Sequence, residues 1–223
     1  MTSATAVLFS AGLDSAVLAA SAARNGRVQP IYVRAGLAWE AEEQAMAARL
    51  LASAPYSARV LPLVTLTVDM RDVYPAAHWA VAGHPPAFDT PDEEVYIDGR
   101  NIVLLSKASV YMARHGIARV LMGTLADNPF PDASAAFFDA MGSALSTGLG
   151  KPIAIEAPLA TMHKVDVLRL GLELGVPMEL TLSCMQPSGG RHCGACSKCR
   201  ERRDAFLEAG VDDPTVYGVK PAR

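Results

Sequence analysis

The feature that most constrains the fold of this chain is a regular alternation of short apolar runs with longer segments of helical spacing. The apolar runs have the length and the β-branched composition of buried strands. Strands that alternate with helices favour a parallel sheet with helices on both faces, so the expected class is α/β and doubly wound. The predicted strands are residues 6–10, 28–33, 61–68, 119–123 and 152–156, and the predicted helices are residues 15–24, 39–52, 101–114, 133–145 and 164–174.

The composition is that of one globular domain with a small C-terminal addition. The chain has 223 residues, of which 51% are hydrophobic and 19% charged, a core-rich balance that needs no disulfides. A Pro-rich stretch at residues 75–91 predicts a long surface loop. From about Thr181 the composition changes to Cys, Gly, Ser and Arg. We therefore predict an α/β domain at residues 1–180 and a small module at residues 181–223 packed on it.

Charge and hydropathy argue against several classes of protein. The net charge of −3 is unlike that of a surface built for general nucleic-acid binding, although one small anion needs only a local positive field. The stretch from Met1 to Ala6 lacks the basic region of an export signal, and no apolar run has the length of a membrane span. We expect a cytoplasmic protein with reduced thiols, no membrane contact and no stable nucleic-acid partner.

A hydroxyl-rich turn, residues 10–15, lies between the first predicted strand and the first predicted helix. In an open α/β sheet, ligands bind at the carboxyl ends of the strands, where a helix N-terminus offers unpaired N–H groups to a phosphate. Gly12 permits close approach of the backbone, Ser10 and Ser15 can donate hydroxyl hydrogen bonds, and Asp14 can hold Mg²⁺. The alternative is that these residues only cap a helix.

Four cysteines, Cys184, Cys193, Cys196 and Cys199, form a second motif near the end of the chain. Zn²⁺ takes four thiolates in closed tetrahedral sites, and the two-residue spacers allow neighbouring cysteines to reach one ion. We predict a structural zinc site with no position for water. A disulfide pair and an iron–sulfur cluster are the alternatives.

Five basic residues surround the cysteines and are opposed locally only by Glu201. A charge run of this kind usually forms solvated surface, which is the first interpretation. The second is that some of these residues face the active cleft and attract a triphosphate. The five are Arg191, Lys198, Arg200, Arg202 and Arg203.

The turn at residues 10–15 resembles the SGGxDS signature of the PP-loop, or adenine-nucleotide alpha hydrolase-like, superfamily. Ala11 stands where the signature has its first glycine. An alanine is tolerated there if its backbone φ is negative. The resemblance implies an enzyme that cleaves ATP between the α- and β-phosphates and transfers AMP to a substrate oxygen.

The chain as a whole resembles the 7-cyano-7-deazaguanine synthase family of queuosine biosynthesis, and a divergent paralogue of that family fits as well. The PP-loop and the cysteine tail occur together there, and further segments between them match. They are Asp98-Gly99-Arg100-Asn101, Gly123 with Asp127 and Pro131-Asp132, Pro158-Leu159 with Lys164, Leu170 to Gly175, Ser183-Cys184, Cys193 to Arg200, and Arg203 to Phe206.

The resemblance implies an ATP-dependent carbon–nitrogen ligase. In that family, ATP activates the carboxylate of 7-carboxy-7-deazaguanine, ammonia converts the adenylate to an amide, and a second activation dehydrates the amide to a nitrile.

The resemblance also implies the site residues. We expect Ser10, Asp14, Ser15 and Lys164 to be catalytic. The alternative for Lys164 is a solvent-facing lysine in a first helical turn. The expected ATP contacts are Leu8, Phe9, Ser10, Ala11, Gly12, Leu13, Asp14, Ser15, Ala16, Val17, Leu18 and Arg100.

The substrate side departs from the family pattern. The family commonly has Gly-Gln-Arg-His where this chain has residues 36–39, and Cys-Arg where it has residues 133–134. Asp127 and Asp132 can accept hydrogen bonds from a guanine-like edge, and Trp39 can stack on a heterocycle or pack ordinarily. His163 and His192 can assist proton transfer, with surface or capping roles as the first interpretation.

Two other functions stay open at this level. One is a PP-loop enzyme that adenylates another heterocyclic acid, an amide or a tRNA base. If the reaction that follows is sulfur insertion, the enzyme requires a reactive cysteine. The other is a nucleotide-binding or zinc-bearing module without catalysis. The family resemblance also implies a homodimer.

Overall fold

The computed structural model describes residues 4–56 and 58–219. Met1 to Ser3, within the start expected to lack an export signal, lie outside the described residues, as do residues 220–223 of the predicted module. Among the helices described, none combines the length and apolarity that crossing a membrane requires.

Five parallel strands form one sheet in the order β3-β2-β1-β4-β5. Each β1 residue from Thr5 to Leu8 pairs with a β2 residue from Val28 to Ile31, and Ala6 and Val7 also pair with β4. The predicted parallel α/β sheet is therefore confirmed. The strands are β1 (Thr5–Leu8), β2 (Val28–Arg34), β3 (Val64–Thr67), β4 (Arg119–Leu121) and β5 (Ala154–Glu156).

Seven α-helices accompany the strands in the described part of the chain. Five correspond to predicted helices, whereas the four-residue α3 and the long α7 were not predicted. Short 3-10 turns lie at Asp92–Val95, Pro131–Ala133 and Met178–Leu180. The helices are α1 (Leu13–Asn25), α2 (Glu40–Leu51), α3 (Trp79–Ala82), α4 (Arg100–His115), α5 (Ala135–Leu149), α6 (Lys164–Glu173) and α7 (Ser197–Ala209).

The sheet is covered on both faces, because successive strand residues point to opposite sides. Val7 belongs to the apolar core that contains α1, α2, α6 and α7, and Ala6 to the core that contains α4 and α5. Gly171 lets α6 lie directly against α1, since a Cβ at this position would stand 2.6 Å from Cγ2 of Val17. The chain is thus doubly wound, as predicted.

The C-terminal segment packs into the α1 side of the molecule. Helix α7 lies against α6, and Cys196, Cys199 and Phe206 are buried in the same core as α1. The predicted surface loop at residues 75–91 contains α3 and meets this segment through an isolated bridge between Ala87 and Cys196. The module is therefore continuous with the main core, and its boundary at residue 180 stays a prediction.

Candidate active site

A cleft opens where the chain reverses its direction across the sheet. The chain runs from β1 outward to β3 on one side and from β4 outward to β5 on the other, so the carboxyl ends of β1 and β4 flank a topological switch point. Two adjoining cavities, of about 250 and about 410 Å³, lie there and share Ser10, Gly12, Asp14, Arg100 and Gly123. The loop singled out in the sequence therefore lies between the two cavities.

The serines of the loop bond to the loop itself. Ser15 Oγ donates to the carbonyl of Gly12 (3.0 Å) and accepts from the N–H of Ser10 (3.3 Å). Ser10 Oγ accepts from the N–H of Gly12 at 3.3 Å. Gly12 is the N-cap of α1, and no side chain caps this helix end. The alternative of a simple helix cap is therefore not supported, because no side chain of the loop caps the first N–H groups of α1.

Ala11 adopts the backbone conformation that glycine would adopt. Its φ is +61°, which corrects the expectation of a negative value. The residue is fully buried, and its carbonyl accepts a 2.8 Å hydrogen bond from the N–H of Leu182. A left-handed alanine costs about 1 kcal/mol or slightly more. Burial and the bond to Leu182 hold the loop in this shape in spite of that cost.

A chain of alternating charges crosses the mouth of the larger cavity. Lys164 Nζ lies 2.6 Å from Oδ2 of Asp14 and 2.6 Å from Oε1 of Glu201. The other oxygen of Glu201 lies 2.7 Å from Lys198 Nζ, which is 3.5 Å from Asp92. Lys164 is therefore held at the loop by two carboxylates and does not point freely into solvent. Glu201 and Asp92 were not predicted as site residues, whereas Lys198 was one of the basic residues for which a position facing the cleft was the second interpretation.

Burial and pairing shift the protonation of this charge chain. Desolvation raises the pKa of Asp14 above its usual range, against the opposing effect of Lys164. Burial opposes the charge on Lys164, but Asp14 and Glu201 outweigh it and raise its pKa. Burial also acts against the charge on Glu201, yet Lys164 and Lys198 lower its pKa to about 2. Lys164 therefore stays cationic, as a phosphate-binding group must.

The smaller cavity is lined by both apolar and polar residues. Of the predicted residues, Leu8, Phe9, Arg100 and Asp132 line it. Asp132 is buried, and its oxygens accept bonds from the backbone N–H (2.9 Å) and the side-chain amide (3.2 Å) of Asn101. Burial raises the pKa of Asp132, against these bonds. Asp132 thus holds the N-terminal end of α4, and each of its oxygens already accepts a hydrogen bond.

The larger cavity has aromatic and acidic walls. Trp39 is buried and stacks on Trp79, with ring centroids 5.8 Å apart and planes 15° from parallel. Asp127 and His163 lie at the opposite rim, joined by a 2.7 Å contact between Oδ2 and Nδ1, with 82% and 61% of their side chains exposed. The structure therefore brings predicted substrate residues Trp39 and Asp127 to one cavity.

Glu43 also lines the larger cavity and was missed by sequence reasoning. It is 8% exposed and accepts a 2.6 Å hydrogen bond from the hydroxyl of Tyr32. Burial raises its pKa to about 7, in spite of Arg100, Tyr32 and the indole N–H of Trp39. The run Glu40, Glu42, Glu43 has the appearance of a solvated helix face, yet Glu40 and Glu43 are both buried, and Glu43 is the one that lines the cavity.

Several predicted residues lie away from the cleft. The side chains of Ala11, Ala16, Val17 and Leu18 are buried in the α1 core and line neither cavity. The N–H of Ala16 is already bonded to the carbonyl of Gly12 at 2.9 Å. These positions support the loop from behind.

Arg202 and His192, both in the C-terminal segment, have structural roles. Arg202 is 2% exposed and donates to the hydroxyl of Thr181 (2.7 Å) and the carbonyl of Met178 (2.8 Å). His192 is buried and accepts from the N–H of Ser183 at 3.0 Å, and burial lowers its pKa to about 3. His192 is therefore neutral and positions the backbone, which argues against a role in proton transfer.

The four cysteines converge on one point. Their Sγ atoms all lie within 4.8 Å of one another. The separations of Cys199 from Cys193 (3.8 Å) and from Cys196 (3.5 Å) match the edge of a tetrahedron with metal–sulfur bonds of about 2.3 Å, and far exceed a disulfide bond of about 2.05 Å. Backbone N–H groups of Gln186 and Cys193 donate to Cys184 Sγ, as expected around a thiolate. The cluster could bind a metal ion.

The fold and the loop together define a doubly wound α/β protein with a nucleotide-type cleft at its switch point. A comparison with protein families gives the family itself: residues 4–210 match the family described as queuosine biosynthesis protein QueC, and the chain belongs to it. The resemblance inferred from the motifs is thereby confirmed.

Curated relatives of the chain carry one name, 7-cyano-7-deazaguanine synthase. A protein of Methanothrix thermoacetophila is 34% identical over 94% of this chain and 96% of its own length. One of Anaeromyxobacter sp. (strain Fw109-5) is 42% identical over 56% of this chain, and the chain spans 57% of that relative. These names support the predicted ligase activity.

One solved structure shares the fold. It is described as a predicted subunit of tRNA methyltransferase from Methanocaldococcus jannaschii, with a TM-score of 0.52, 16% identity, and coverage of 97% of this chain and 92% of that one. At this identity the likeness shows the fold alone.

Proposed function

We propose that the protein is a 7-cyano-7-deazaguanine synthase. The observation that carries the proposal is the position of the loop between two cavities, with Lys164 against it on the side of the larger cavity. An adenylating enzyme needs this layout, because the adenosine and the acceptor oxygen must be held at the same time beside the α-phosphorus that is attacked. The match of the chain to the QueC family covers residues 4–210.

The smaller cavity suits adenosine, and the loop suits the phosphates. Ile31, Val33, Leu104 and Met122 give the cavity apolar walls for a flat base. The N–H groups at the start of α1 and the cation of Lys164 are placed to stabilise the charge of the departing pyrophosphate. ATP entry displaces Asp14 or Glu201 from Lys164, or adds a metal ion between them.

The proposed reaction has two activations. A carboxylate oxygen of 7-carboxy-7-deazaguanine attacks the α-phosphorus of ATP, and pyrophosphate leaves. Ammonia attacks the acyl carbon, loses a proton and expels AMP, which gives the amide. The amide oxygen then attacks the α-phosphorus of a second ATP, and pyrophosphate leaves again. The nitrogen of the adenylated amide loses both of its protons, and expulsion of AMP gives the nitrile.

Asp14 fits a role in holding Mg²⁺. Its Oδ1 is buried without a hydrogen-bond partner in the described residues, while its Oδ2 contacts Lys164. A divalent ion at this oxygen would neutralise charge on the phosphates. Asp14 would orient the ion, and Lys164 would hold the phosphate oxygens that the ion does not reach.

Zinc is the metal we propose for the four cysteines. Four thiolates within 4.8 Å of one another fit a single tetrahedral ion better than a four-iron cluster, whose thiolate ligands stand further apart on separate irons. All four cysteines of the chain belong to this set, so none is left to serve as a thiolation nucleophile. A small-molecule substrate, free ammonia, a cytoplasmic location and a homodimer complete the proposal.

A product assay tests the function. The protein with ATP, Mg²⁺, ammonium and 7-carboxy-7-deazaguanine is expected to yield the nitrile and two AMP per nitrile, measured by mass spectrometry. Asp14→Asn should lower the rate by about 100-fold or more without loss of folding, since it removes the carboxylate proposed to hold Mg²⁺ beside the phosphates. Asp139→Asn on the exposed face of α5 is the control. ATP turnover with other deazapurine acids but no nitrile would overturn the substrate, and full activity of Asp14→Asn would overturn the site.

A further inference from the structure

The acid Glu43 occupies an unusual place at the substrate end of the cleft. It is 8% exposed, yet it lines the larger cavity together with Trp39 and Trp79. A buried carboxyl group costs free energy unless it is hydrogen-bonded, and such groups concentrate at functional sites. The donors from Tyr32 and Trp39 hold this acid in place, but they do not require that it also line the cavity. The acid therefore calls for a ligand-directed role.

The surroundings of Glu43 hold it in place and leave acceptor capacity. Tyr32 donates to its Oε2 at 2.6 Å, and the indole N–H of Trp39 faces it. A carboxylate has about four lone-pair positions on its two oxygens, so these donors leave roughly half of them for a ligand. Tyr32 lines the smaller cavity and Glu43 the larger one, which places this pair in the wall between them.

The other acids near the cleft are poorer acceptors. Asp132 lines only the smaller cavity, and its two oxygens hold the N-terminal end of α4 through Asn101. Asp127 is 82% exposed at the rim and paired with His163, so water competes for its bonds. Glu43 alone among the three combines burial, the larger cavity and flat aromatic neighbours.

We propose that Glu43 is the specificity residue that accepts two adjacent N–H donors from the heterocycle, the ring N–H and the exocyclic amine of a 2-aminopyrimidin-4-one edge. A carboxylate matches such a pair of parallel donors in a bidentate arrangement. Stacked indoles at Trp39 and Trp79 give a flat ring an apolar surface beside it. The inference rests on the proposed function and deepens it, because it names the substrate edge that this chain reads.

The charged groups around Glu43 set its pH behaviour. Glu40 lies on the same helix, Tyr32 on β2 and Arg100 on α4, and Arg100 Nε is itself buried without a hydrogen-bond partner among the described residues. With a pKa of about 7, Glu43 is partly protonated at neutral pH and ionised above it. Because two N–H donors bind the ionised form, substrate affinity should rise with pH between about 6 and 8.

The test compares 7-carboxy-7-deazaguanine with the analogue that lacks the 2-amino group, at saturating ATP. The wild-type protein should prefer the amino compound in kcat/KM by about 10-fold or more. Glu43→Gln should raise the KM for the amino compound by about 10- to 100-fold, remove the preference and leave the KM for ATP unchanged. Asp139→Asn is the matched charge-removal control and should change neither value.

Tyr32→Phe gives a second test that does not depend on the folding of Glu43→Gln. Loss of the hydroxyl donor should raise the pKa of Glu43 and move the pH midpoint of the KM upward, which a purely structural role would not do. An unchanged preference in Glu43→Gln, or an unmoved midpoint in Tyr32→Phe, with nitrile still formed by the wild-type protein, would overturn this inference alone. Absence of nitrile from the wild-type protein would overturn the proposed function beneath it.

Discussion

Ala11 shows how the surroundings of a single residue can override its own preference. Its left-handed φ of +61° is disfavoured for any residue with a Cβ, yet its methyl group is fully buried and its carbonyl is bonded to Leu182. Replacement by glycine would relieve about 1 kcal/mol or slightly more of strain. It would also lose methyl burial of about 0.8 kcal/mol and add roughly 0.5–1 kcal/mol of chain entropy to be lost on folding. The opposing effects are similar in size.

We expect Ala11→Gly to be nearly neutral, within about 1 kcal/mol in the free energy of unfolding. The matched control is Ala19→Gly in α1, which removes an equally buried methyl group from a helical backbone and should cost about 1.5–2 kcal/mol. Urea unfolding of the three proteins measures both changes. Equal losses for the two variants would show that Ala11 carries no strain.

At the scale of the elements, the contact between α6 and α7 joins the loop at residues 10–15 to the C-terminal segment, because Lys164 on α6 contacts both Asp14 of the loop and α7. Lys164, the first residue of α6, bonds to Glu201 on α7, and Lys198 on α7 bonds to the same carboxylate. Pairing with both lysines overcomes burial and lowers the pKa of Glu201 to about 2, from a usual value of 4.5. A depressed pKa of an acid stabilises the folded state above the unfolded pKa and loses that effect as pH falls toward the folded pKa.

We expect Glu201→Gln to lower the free energy of unfolding by about 3 kcal/mol at pH 7 and by about half as much near pH 3. The raised pKa of Asp14 gives the free energy of unfolding the opposite pH dependence. The quantity to follow is therefore the difference in this free energy between Glu201→Gln and the wild-type protein. Denaturant unfolding of both proteins between about pH 3 and pH 7 measures this difference. Glu208→Gln, also on α7 but exposed, is the control. A difference that does not change with pH would contradict the charge argument.

The elements with clear periodicity were predictable, and those stabilised by buried charge were not. The apolar run at β1 and the Ala- and Leu-rich α1 follow directly from spacing and propensity. Helix α7 escaped prediction because its buried face includes Arg202, which an isolated sequence presents as solvated surface. Glu43 and Glu201 were missed for the same reason, since their burial depends on partners distant in the chain. The loop and the cysteines were visible because their spacing is local.

At the scale of the whole molecule, the cysteine cluster is part of the principal core. Cys184, Cys196 and Cys199 are buried in the same core as α1, so a metal ion bound by the cysteines would be coupled to the packing of the loop at residues 10–15. A structural metal site contributes its binding energy to folding. Loss of the ion should therefore loosen the cleft as well as the C-terminal segment.

We expect one zinc ion per chain by elemental mass spectrometry, and none in Cys199→Ser, whose Tm should fall by about 10 °C or more. Ser188→Ala, at an exposed position in the same segment, should keep the metal and the Tm. Iron and sulfide in the purified protein would contradict the assignment of zinc. A Tm unchanged by Cys199→Ser would contradict the structural role.

The hydrogen bond from Leu182 to Ala11 has a consequence for synthesis of the protein in the cell. The loop leaves the ribosome early, but Leu182 follows Ala11 by roughly 170 residues, and Glu201 comes later still. At translation rates of about 5–20 residues per second, the loop waits roughly ten to thirty seconds for its partners. A nascent or prematurely terminated chain should therefore lack a fully formed cleft, and the ATP proposed to bind there would not assist its early folding.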